Sequence, residues 1–345
     1  MNPLMYSLIL SSIATGTIIT MSSFHWLMAW VGLELNTLAI IPIIAKQHHP
    51  RATEATTKYF LTQATASAMI LFASTTNAWT TGTWDISQLT NQPSCILLTM
   101  ALSMKLGLAP LHFWLPEVLQ GASMKTALII ATWQKLAPMA LLYLTHNSIN
   151  STILLTMGVL SALTGGWGGL NQTQTRKIMA FSSIAHLGWM ASILTLNPNI
   201  LILNLLLYII MTAPMFLMLK LTASKTIKDL TTSWAISPPM TAMMMILLMS
   251  LGGLPPLTGF MPKWLVLQEL TTHNLTMTAT IMALSALLSL FFYLRLSYTS
   301  TLTVYPTTTK NSYKWRFQPK LTTMPMMTLT VLSWLLLPMT PMFYQ

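Results

Sequence analysis

The sequence predicts an all-α polytopic membrane protein, and three observations support this fold class. Of the 345 residues, 53% are hydrophobic and 7% are charged, whereas a soluble globular domain carries about 25% charged residues. Apolar segments of about 20 residues, the length of a helix that spans a bilayer, follow one another along the chain. The basic residues collect in alternate loops between these segments. A chain so poor in charge cannot cover a water-facing surface, which argues against a large soluble helical protein.

Eleven apolar segments are long enough to be transmembrane helices. They are 3–21, 24–45, 57–79, 95–120, 125–145, 151–170, 178–196, 200–220, 239–268, 275–298 and 322–343. The segments 95–120 and 239–268 are longer than one straight span and contain prolines, which remove a backbone donor and interrupt helices. We therefore predict a discontinuous helix in each of these two segments.

The distribution of basic residues supports this division into spans. Most of the 17 basic residues lie in even-numbered loops, namely Lys46, Arg51, Lys58, Lys125, Arg176, Lys177, Lys220, Lys225, Lys228, Lys310, Lys314, Arg316 and Lys320. The odd-numbered loops contain no Lys or Arg. The positive-inside rule then places the N-terminus and the even-numbered loops on the negative side of the membrane, with the C-terminus opposite. The net charge of +11 reflects this asymmetry and does not indicate a nucleic-acid partner.

Four charged residues lie away from the ends of the predicted spans: Glu34, Lys105, Lys135 and Lys263. A charge at the bilayer centre costs about 2.5–3.5 kcal/mol, so these residues predict a function in ion or proton movement. Lysine suits such a function because a buried lysine can release its proton near neutral pH and arginine cannot. The alternative is a pair of buried salt bridges that fix helix register, although buried pairs are weak stabilisers. Arg295 lies near a span end and is expected to extend to the lipid headgroups.

Two histidines, His112 and His186, also lie inside predicted spans. Imidazole titrates near neutral pH, so both are candidate proton relays. The alternative for each is a hydrogen bond between helices. The other histidines lie at span ends or in loops, where a solvated role is expected; they are His25, His48, His49, His146 and His273.

The two overlong segments share a sequence pattern. Aligned with an offset of 146, "LGLAPLHFWLPEVLQ" (106–120) and the stretch from Gly252 onward share identities at Gly107 and Gly253, Leu108 and Leu254, Pro110 and Pro256, Leu111 and Leu257, Pro116 and Pro262, and Leu119 and Leu265. Glu117 falls opposite Lys263. An offset of five spans gives the two copies opposite orientations, and paired interrupted helices in inverted halves are typical of an ion pathway in transporters. A harmless kink is a reasonable alternative for one helix but a weaker one for a matched pair.

The sequence argues against redox chemistry on this chain. Its single cysteine, Cys95, excludes an internal disulfide framework and a four-cysteine iron–sulfur or zinc site. No dinucleotide-binding fingerprint or paired haem histidines are present. The glycine-rich stretch "GGWGG" (165–169) is better explained by close helix packing than by a phosphate-binding loop. We expect neither a cofactor nor a metal ion on this chain.

Five motifs in combination resemble the antiporter-like membrane subunits of respiratory complex I, the proton-pumping NADH:ubiquinone oxidoreductase. They are "GLELN" with Glu34, "MKLGLAPLHFWLPE" with Lys105, "WQKLAP" with Lys135, "SSIAHLGWM" with His186 and "LPPLTGFMPKW" with Lys263. The resemblance covers essentially the whole chain. The content of 28 methionines, the single cysteine and the lack of a targeting presequence suit a subunit encoded by vertebrate mitochondria.

The resemblance implies a single membrane domain, 1–345, built of two inverted five-helix repeats. These are 1–146 and 147–299, followed by a loop and a C-terminal helix in 300–345. It places the protein in the mitochondrial inner membrane, with the N-terminus and basic loops in the matrix and the C-terminus in the intermembrane space. It implies that the complex as a whole uses NADH, FMN, iron–sulfur clusters and ubiquinone. The expected partners are other membrane-arm subunits, including neighbouring antiporter-like subunits, and inner-membrane lipids such as cardiolipin.

The resemblance also implies one proton pathway in this subunit. In it, Glu34 is the partner of Lys105, Lys135 is the central relay and Lys263 is the terminal lysine; His186 passes protons between the lysines, with His112 as a further candidate. If Glu34 moved away, Lys105 would become an unpaired buried cation and would release its proton. Two alternatives stay open: a free-standing cation/proton antiporter, and a structural or assembly subunit whose buried charges are only ion pairs.

Overall fold

The computed structural model describes residues 2–47, 49–235, 237–302 and 324–341. The regular elements in these residues are helices, and they form two compact units, Met1–Ser161 and Ala162–Gln345. This boundary falls inside a helix, 15 residues after the end of the first repeat expected from the sequence. It reflects contacts within each unit and does not test the repeat division, which stays a prediction.

The first unit begins with three long helices and continues with shorter ones. They are α1 (Pro3–Ser22), α2 (Trp26–Ile44), α3 (Pro50–Thr81), α4 (Gln92–Leu106), α5 (Trp114–Gly121), α6 (Met124–Ala131) and α7 (Leu136–Leu144). Single 3₁₀ turns follow α2 at Ala45–Gln47 and α6 at Trp133–Lys135. The helix α8 (Ser151–Leu170) crosses the boundary between the units.

The second unit contains longer helices on either side of one interrupted segment. They are α9 (Thr175–Leu194), α10 (Pro198–Leu221), α11 (Ile227–Thr231), α12 (Pro238–Gly252), α13 (Phe260–Thr272), α14 (Thr276–Thr301) and α15 (Met324–Leu335). Two 3₁₀ turns, Thr232–Ala235 and Leu337–Met339, complete the described elements of this unit.

Seven helical segments in the described part of the chain are long and apolar enough to cross a membrane. They are α1, α2, the combined segment Met124–Leu144, α8, α9, α10 and α14. The helices α12 and α15 are apolar but shorter. The chain is therefore a multi-pass membrane protein, and the count of eleven spans stays a prediction.

Parts of two sequence predictions fall outside the described residues. The last predicted span, 322–343, begins and ends outside them, and α15 covers residues 324–335 of it. His48 and the last basic loop, with Lys310, Lys314, Arg316 and Lys320, also lie outside the described residues.

The glycine-rich stretch at the end of α8 is a close-packing surface, as predicted. A Cβ atom on Gly165 would lie 2.6 Å from the backbone nitrogen of Ala185, on α9. On Gly168, a Cβ would lie 2.3 Å from the ring of Phe181. Small residues let helices approach closely in a membrane, where packing drives their association.

Arg295 binds the end of a neighbouring helix. Its guanidinium group donates hydrogen bonds to the backbone oxygens of Leu170 (2.6 Å) and Gln172 (2.7 Å). It therefore binds carbonyl groups at the C-terminal end of α8, which lack partners within the helix. Its extension to the lipid headgroups stays a prediction.

Candidate functional site

The first interrupted helix breaks between α4 and α5. Gly107 ends α4 with φ of 81°, a left-handed conformation that glycine adopts without steric cost. The amides of Gly107 and Leu108 both donate to the oxygen of Ser103, at 2.9 Å. An irregular turn follows until α5 begins at Trp114, whose indole donates to the oxygen of Met104 at 3.0 Å. At this break, local donors therefore bond the backbone oxygens of Ser103 and Met104.

The second interrupted helix ends in the same way. Gly253 ends α12 with φ of 79°, and α13 begins at Phe260. The side chain of Lys263 folds back over this glycine, since a Cβ on Gly253 would lie 2.9 Å from Lys263 Cδ. Its Nζ donates to the oxygen of Gly252 at 2.8 Å. A lysine from the second half-helix therefore reaches the C-terminal end of the first.

The two breaks each hold a lysine at the C-terminal end of the first half-helix. Lys105 lies in the last turn of α4, whereas Lys263 reaches the end of α12 from α13. The aligned carbonyls at a helix C-terminus favour a positive charge. The alignment of the two sequence copies set Lys263 opposite Glu117, so it did not indicate that each break has a lysine at this helix end.

Glu117 belongs instead to a surface ion cluster. Its carboxylate lies 2.5 Å from Lys58 Nζ, which also lies 2.5 Å from the carboxylate of Glu54. The hydrogen bond from Lys58 lowers the pKa of Glu54, which lies outside the membrane-spanning segments. All three side chains are exposed, so the cluster connects the start of α3 to α5 at the surface.

Lys105 faces a small cavity inside the first unit. The residue is 6% exposed, and its Nζ has no hydrogen-bond partner among the described residues. The cavity has a volume of about 20 Å³ and is lined by Leu33, Asn36, Thr37, Tyr59, Gln63, Lys105, Trp114, Gln134 and Pro138. A space of this size holds about one water molecule, and its amides and hydroxyls are suitable water partners.

Glu34 lies next to this cavity but is not among its lining residues. The Thr37 hydroxyl lies 2.9 Å from the Glu34 backbone oxygen and 3.1 Å from Glu34 Oε2, so its one hydrogen is shared between two acceptors, and Thr37 lines the cavity. Glu34 and Lys105 form no ion pair within 4.0 Å, although the charge of Glu34 acts on the Lys105 ammonium. Thr37 therefore contacts Glu34 and also lines the cavity that Lys105 faces.

Lys135 lies at an interruption that the sequence reading missed. The segment 125–145 was predicted as a straight span, but Met124–Ala131 and Leu136–Leu144 are separated by the 3₁₀ turn Trp133–Lys135. Pro138 provides a local signal for this turn, because a proline cannot donate to the carbonyl four residues earlier. Lys135 is 5% exposed. The preceding residue, Gln134, lines the Lys105 cavity, so the turn brings this segment to its wall.

Gln134 also connects this turn to α2. Its side-chain amide donates to Asn36 Oδ1 at 3.1 Å, and both residues line the cavity. The cavity wall therefore contains a polar link between the helix of Glu34 and the turn of Lys135.

His112 lies in the turn of the first break. It is 7% exposed, its ring lies 4.3 Å from that of Phe113, and its Nδ1 has no hydrogen-bond partner in the described part of the chain. It is not among the residues that line the Lys105 cavity. The structure therefore places His112 at the same break as Lys105 without bringing it to the cavity wall.

In the second unit, His186 lies among buried hydroxyl groups. It is 7% exposed, its Nε2 lies 3.5 Å from the Tyr293 hydroxyl, and its ring centroid lies 5.5 Å from that of Tyr208. Tyr208 is hydrogen-bonded to Ser183 and Thr212. The sequence motifs contain His186 but neither tyrosine, because the contacts of Tyr208 and Tyr293 with His186 arise only in the fold.

In the described residues, no group of three or more His, Cys, Asp or Glu side chains is placed to hold a metal ion. Cys95 is a buried free thiol. The expectation that this chain carries no cofactor stays a prediction.

The comparisons with known proteins agree with this arrangement. The family model described as "NADH:quinone oxidoreductase/Mrp antiporter, TM" matches residues 23–289. The interrupted helices, the buried lysines and this match define a transmembrane subunit of the NADH:quinone oxidoreductase/Mrp antiporter class. A second model, "NADH dehydrogenase subunit 2 C-terminus", matches residues 290–344. The chain belongs to the NADH-ubiquinone oxidoreductase chain 2 family.

Individual relatives support this assignment over nearly the full length. NADH-ubiquinone oxidoreductase chain 2 of Salmo salar is 60% identical over 341 residues, which cover 99% of this chain and 98% of that protein. A chain of respiratory complex I from Thermus thermophilus matches with a TM-score of 0.84 and 27% identity, covering 98% of this chain and 80% of that one. A chain of the Mrp complex from Dietzia sp. DQ12-45-1b matches with a TM-score of 0.83 over 97% of this chain and 75% of that one. The two chains are 16% identical, so this match shows a shared fold alone.

Proposed function

We propose that this chain is an antiporter-like membrane-arm subunit of the H⁺-translocating NADH:ubiquinone oxidoreductase. As such it is part of an enzyme, and we expect the redox chemistry to take place on other subunits. The family assignment supports this role. The vertebrate relatives and the apolar helices support a multi-pass protein of the mitochondrial inner membrane.

We further propose that the chain carries a proton pathway through Glu34, Lys105, Lys135, His186, Lys263 and His112. The observation that supports it most is the buried Lys105 Nζ at a cavity of about 20 Å³, next to Glu34. The cavity has room for about one water molecule and can pass a proton between the lysine and its polar walls.

The relation between Glu34 and Lys105 suggests how the pathway is controlled. A nearby carboxylate favours the charged form of an amine, and burial without a partner disfavours it. Glu34 lies outside ion-pair distance from Lys105, and its carboxylate is within hydrogen-bonding distance of the Thr37 hydroxyl. Movement of the carboxylate toward the cavity would favour proton binding at Lys105, and its return to Thr37 would favour release.

The full topology is also part of the proposal. Eleven spans in two inverted repeats would place the N-terminus and basic loops in the matrix and the C-terminus in the intermembrane space. The matching left-handed glycines, Gly107 and Gly253, support a related origin of the two breaks. Partners would be the other membrane-arm subunits, with neighbouring antiporter-like subunits and cardiolipin among the expected contacts.

A free-standing cation/proton antiporter is the main alternative, since a chain of an Mrp complex shares this fold. Purification of the native protein distinguishes the two functions. We expect the chain to be recovered in a large complex with NADH:ubiquinone oxidoreductase activity. Recovery of a stable chain that exchanges cations for protons by itself would favour the antiporter.

Replacement of Lys135 separates a pathway from a purely structural role. Lys135→Ala removes a buried amine, and we expect an assembled complex with reduced proton pumping. Lys125→Ala removes an exposed amine of the same segment and is the matched control. Assembly is measured by native electrophoresis and pumping in coupled membrane vesicles. Normal pumping in an assembled Lys135→Ala enzyme would contradict the role of Lys135.

A further inference from the structure

The connector between α12 and α13, residues 253–259, is hydrogen-bonded to α15. Thr258 lies fully buried in this connector, and its hydroxyl donates to the backbone oxygen of Ser333, 75 residues further along the chain. Ser333 is also fully buried and lies in the last turn of α15. Carbonyl groups in the last turn of a helix lack donors within that helix. Thr258 therefore supplies a partner that α15 itself does not.

The connector also contacts the two helices that it joins. The amide of Met261, in the first turn of α13, donates to the backbone oxygen of Thr258 at 3.3 Å. A Cβ on the next residue, Gly259, would overlap the backbone oxygen of Ser250 on α12. The helix α15 in turn packs against α10 and α12. Thr258 and Gly259 thus lie where the end of α12, the start of α13 and the end of α15 meet.

This connector determines how Lys263 meets its hydrogen-bond acceptor. Lys263 lies in the first turn of α13, and its Nζ donates at 2.8 Å to the oxygen of Gly252, the last residue of α12. The chain between donor and acceptor consists of the connector and the first three residues of α13. A shift of the connector therefore moves the start of α13, and with it the lysine, relative to this carbonyl. Because the connector lies outside the regular helices, its position depends on bonds such as the one between Thr258 and Ser333.

We propose that α15 fixes the second helix break, and that Thr258 is the positioning residue through which it keeps Lys263 at the end of α12. The hydroxyl hydrogen of Thr258 is directed at a backbone carbonyl, which accepts hydrogen bonds and has no proton to exchange. The residue therefore acts through the place of Lys263 and carries no proton itself. The segment 290–344, which includes α15, lies outside the residues that the antiporter model matches. This inference rests on the proposed function and adds to the lysine pathway a helix from outside the antiporter part of the chain.

Substitutions at Thr258 test this inference in the assembled enzyme. Thr258→Val keeps the shape of the side chain and removes the hydroxyl, whereas Thr258→Ser keeps the donor. Thr241→Val is the matched control, because Thr241 is also buried, lies at the other end of α12 and donates within that helix to the oxygen of Pro238 at 2.7 Å. Proton pumping is measured in coupled proteoliposomes and normalised to the amount of assembled enzyme.

We expect Thr258→Val to lower the pumping rate about 3- to 10-fold, which corresponds to the loss of one hydrogen bond. Thr258→Ser and Thr241→Val should pump at nearly the original rate. An unchanged rate in Thr258→Val would overturn the inference, and so would an equal loss in Thr258→Ser or in Thr241→Val. If Thr258→Val fails to assemble, Thr258→Ala and Thr258→Ser give the same comparison, because they differ only in the hydroxyl group; equal rates in these two would also overturn it.

The position of the Lys263 amine shows whether Thr258 acts through this lysine. It is determined by electron cryo-microscopy of the assembled Thr258→Val enzyme. We expect Lys263 Nζ to move beyond hydrogen-bonding distance from the Gly252 oxygen, to which it donates in the original chain. A slower variant whose amine keeps its bond to Gly252 would contradict the positioning role.

Lys263→Ala, measured in parallel, separates this inference from the proposed function. If Lys263→Ala lowers pumping and Thr258→Val does not, the positioning role is wrong and the pathway remains. If Lys263→Ala leaves pumping unchanged in an assembled enzyme, the pathway through the second unit is itself wrong, and the role of Thr258 in it is wrong as well.

Discussion

Thr37 joins the Glu34 carboxylate to the Lys105 cavity. Its hydroxyl donates to Glu34 Oε2 at 3.1 Å, and the residue is 7% exposed at the cavity wall. The same hydroxyl lies 2.9 Å from the Glu34 backbone oxygen, so it divides its one hydrogen between the backbone and the carboxylate. An ordinary hydrogen bond contributes about 0.5–1.5 kcal/mol, and Thr37 is therefore one restraint on the Glu34 side chain.

Replacement of Thr37 tests this restraint. Thr37→Val keeps the shape and removes the hydroxyl. We expect the equilibrium between this position of the Glu34 carboxylate and one nearer Lys105 to change by up to about 10-fold, the equivalent of about 1.5 kcal/mol, and the pumping rate to fall. Thr37→Ser keeps the donor and should pump at nearly the original rate. Equal rates for the Val and Ser variants would show that the hydroxyl has no such role.

Among the helices, the interrupted pair α12 and α13 shows how a break positions a titratable group. The left-handed turn at Gly253 leaves the Gly252 carbonyl outside the helix ladder, and Lys263 returns to bond it. Because Gly253 has no side chain, the lysine can lie directly over the turn. The break therefore orients the amine as well as exposing backbone groups.

Gly253→Ala is expected to disturb this arrangement in two ways. A left-handed non-glycine residue costs roughly 1–2 kcal/mol, and the new methyl group would displace Lys263 from Gly252. Gly82→Ala is the matched control, because Gly82 has φ of 73° but no atom within 4 Å of a new Cβ. We expect both variants to lower the melting temperature of the assembled enzyme and only Gly253→Ala to reduce pumping. Loss of pumping in both variants would show that backbone strain alone is responsible.

Across the whole molecule, the alternation of basic loops predicts the side of the membrane on which each loop lies. Two exposed positions test it in a Cys95→Ser background: Ser87 in a loop without basic residues and Lys225 in a basic loop. In intact mitoplasts, a membrane-impermeant maleimide should label Ser87→Cys. It should label Lys225→Cys only after the membrane is permeabilised, because the basic loops are expected in the matrix. Labelling of both positions from the same side would contradict the alternation, and the reverse pattern would contradict the orientation.

The sequence anticipates some of these features for clear physical reasons. Prolines and glycines near Gly107 and Gly253 predicted the two breaks, because they act through local backbone geometry. A charge is costly inside an apolar segment, and this cost identified Lys105, Lys135 and Lys263 as candidate functional residues. The return of Lys263 to Gly252 could not be predicted, because it depends on the path of the chain after the break.

Other features depend on contacts between distant segments. Thr37 and Tyr293 carry common hydroxyl groups, which become informative only beside Glu34 and His186. Arg295 was expected at the headgroups. Its backbone acceptors could not be predicted, because they depend on the approach of α14 to the end of α8. The turn at Lys135 could have been predicted from Pro138, but 125–145 was predicted as one straight span.

The number of protons pumped for each NADH oxidised by an enzyme with Lys105→Ala is the most direct test of a pathway through this chain. Assembly and the rate of NADH oxidation are measured on the same vesicles, with Lys125→Ala as the control for an exposed lysine. Because Lys105 presents the buried amine at the cavity, we expect the assembled variant to pump fewer protons for each NADH than the control. An unchanged ratio in a fully assembled Lys105→Ala enzyme would contradict the pathway.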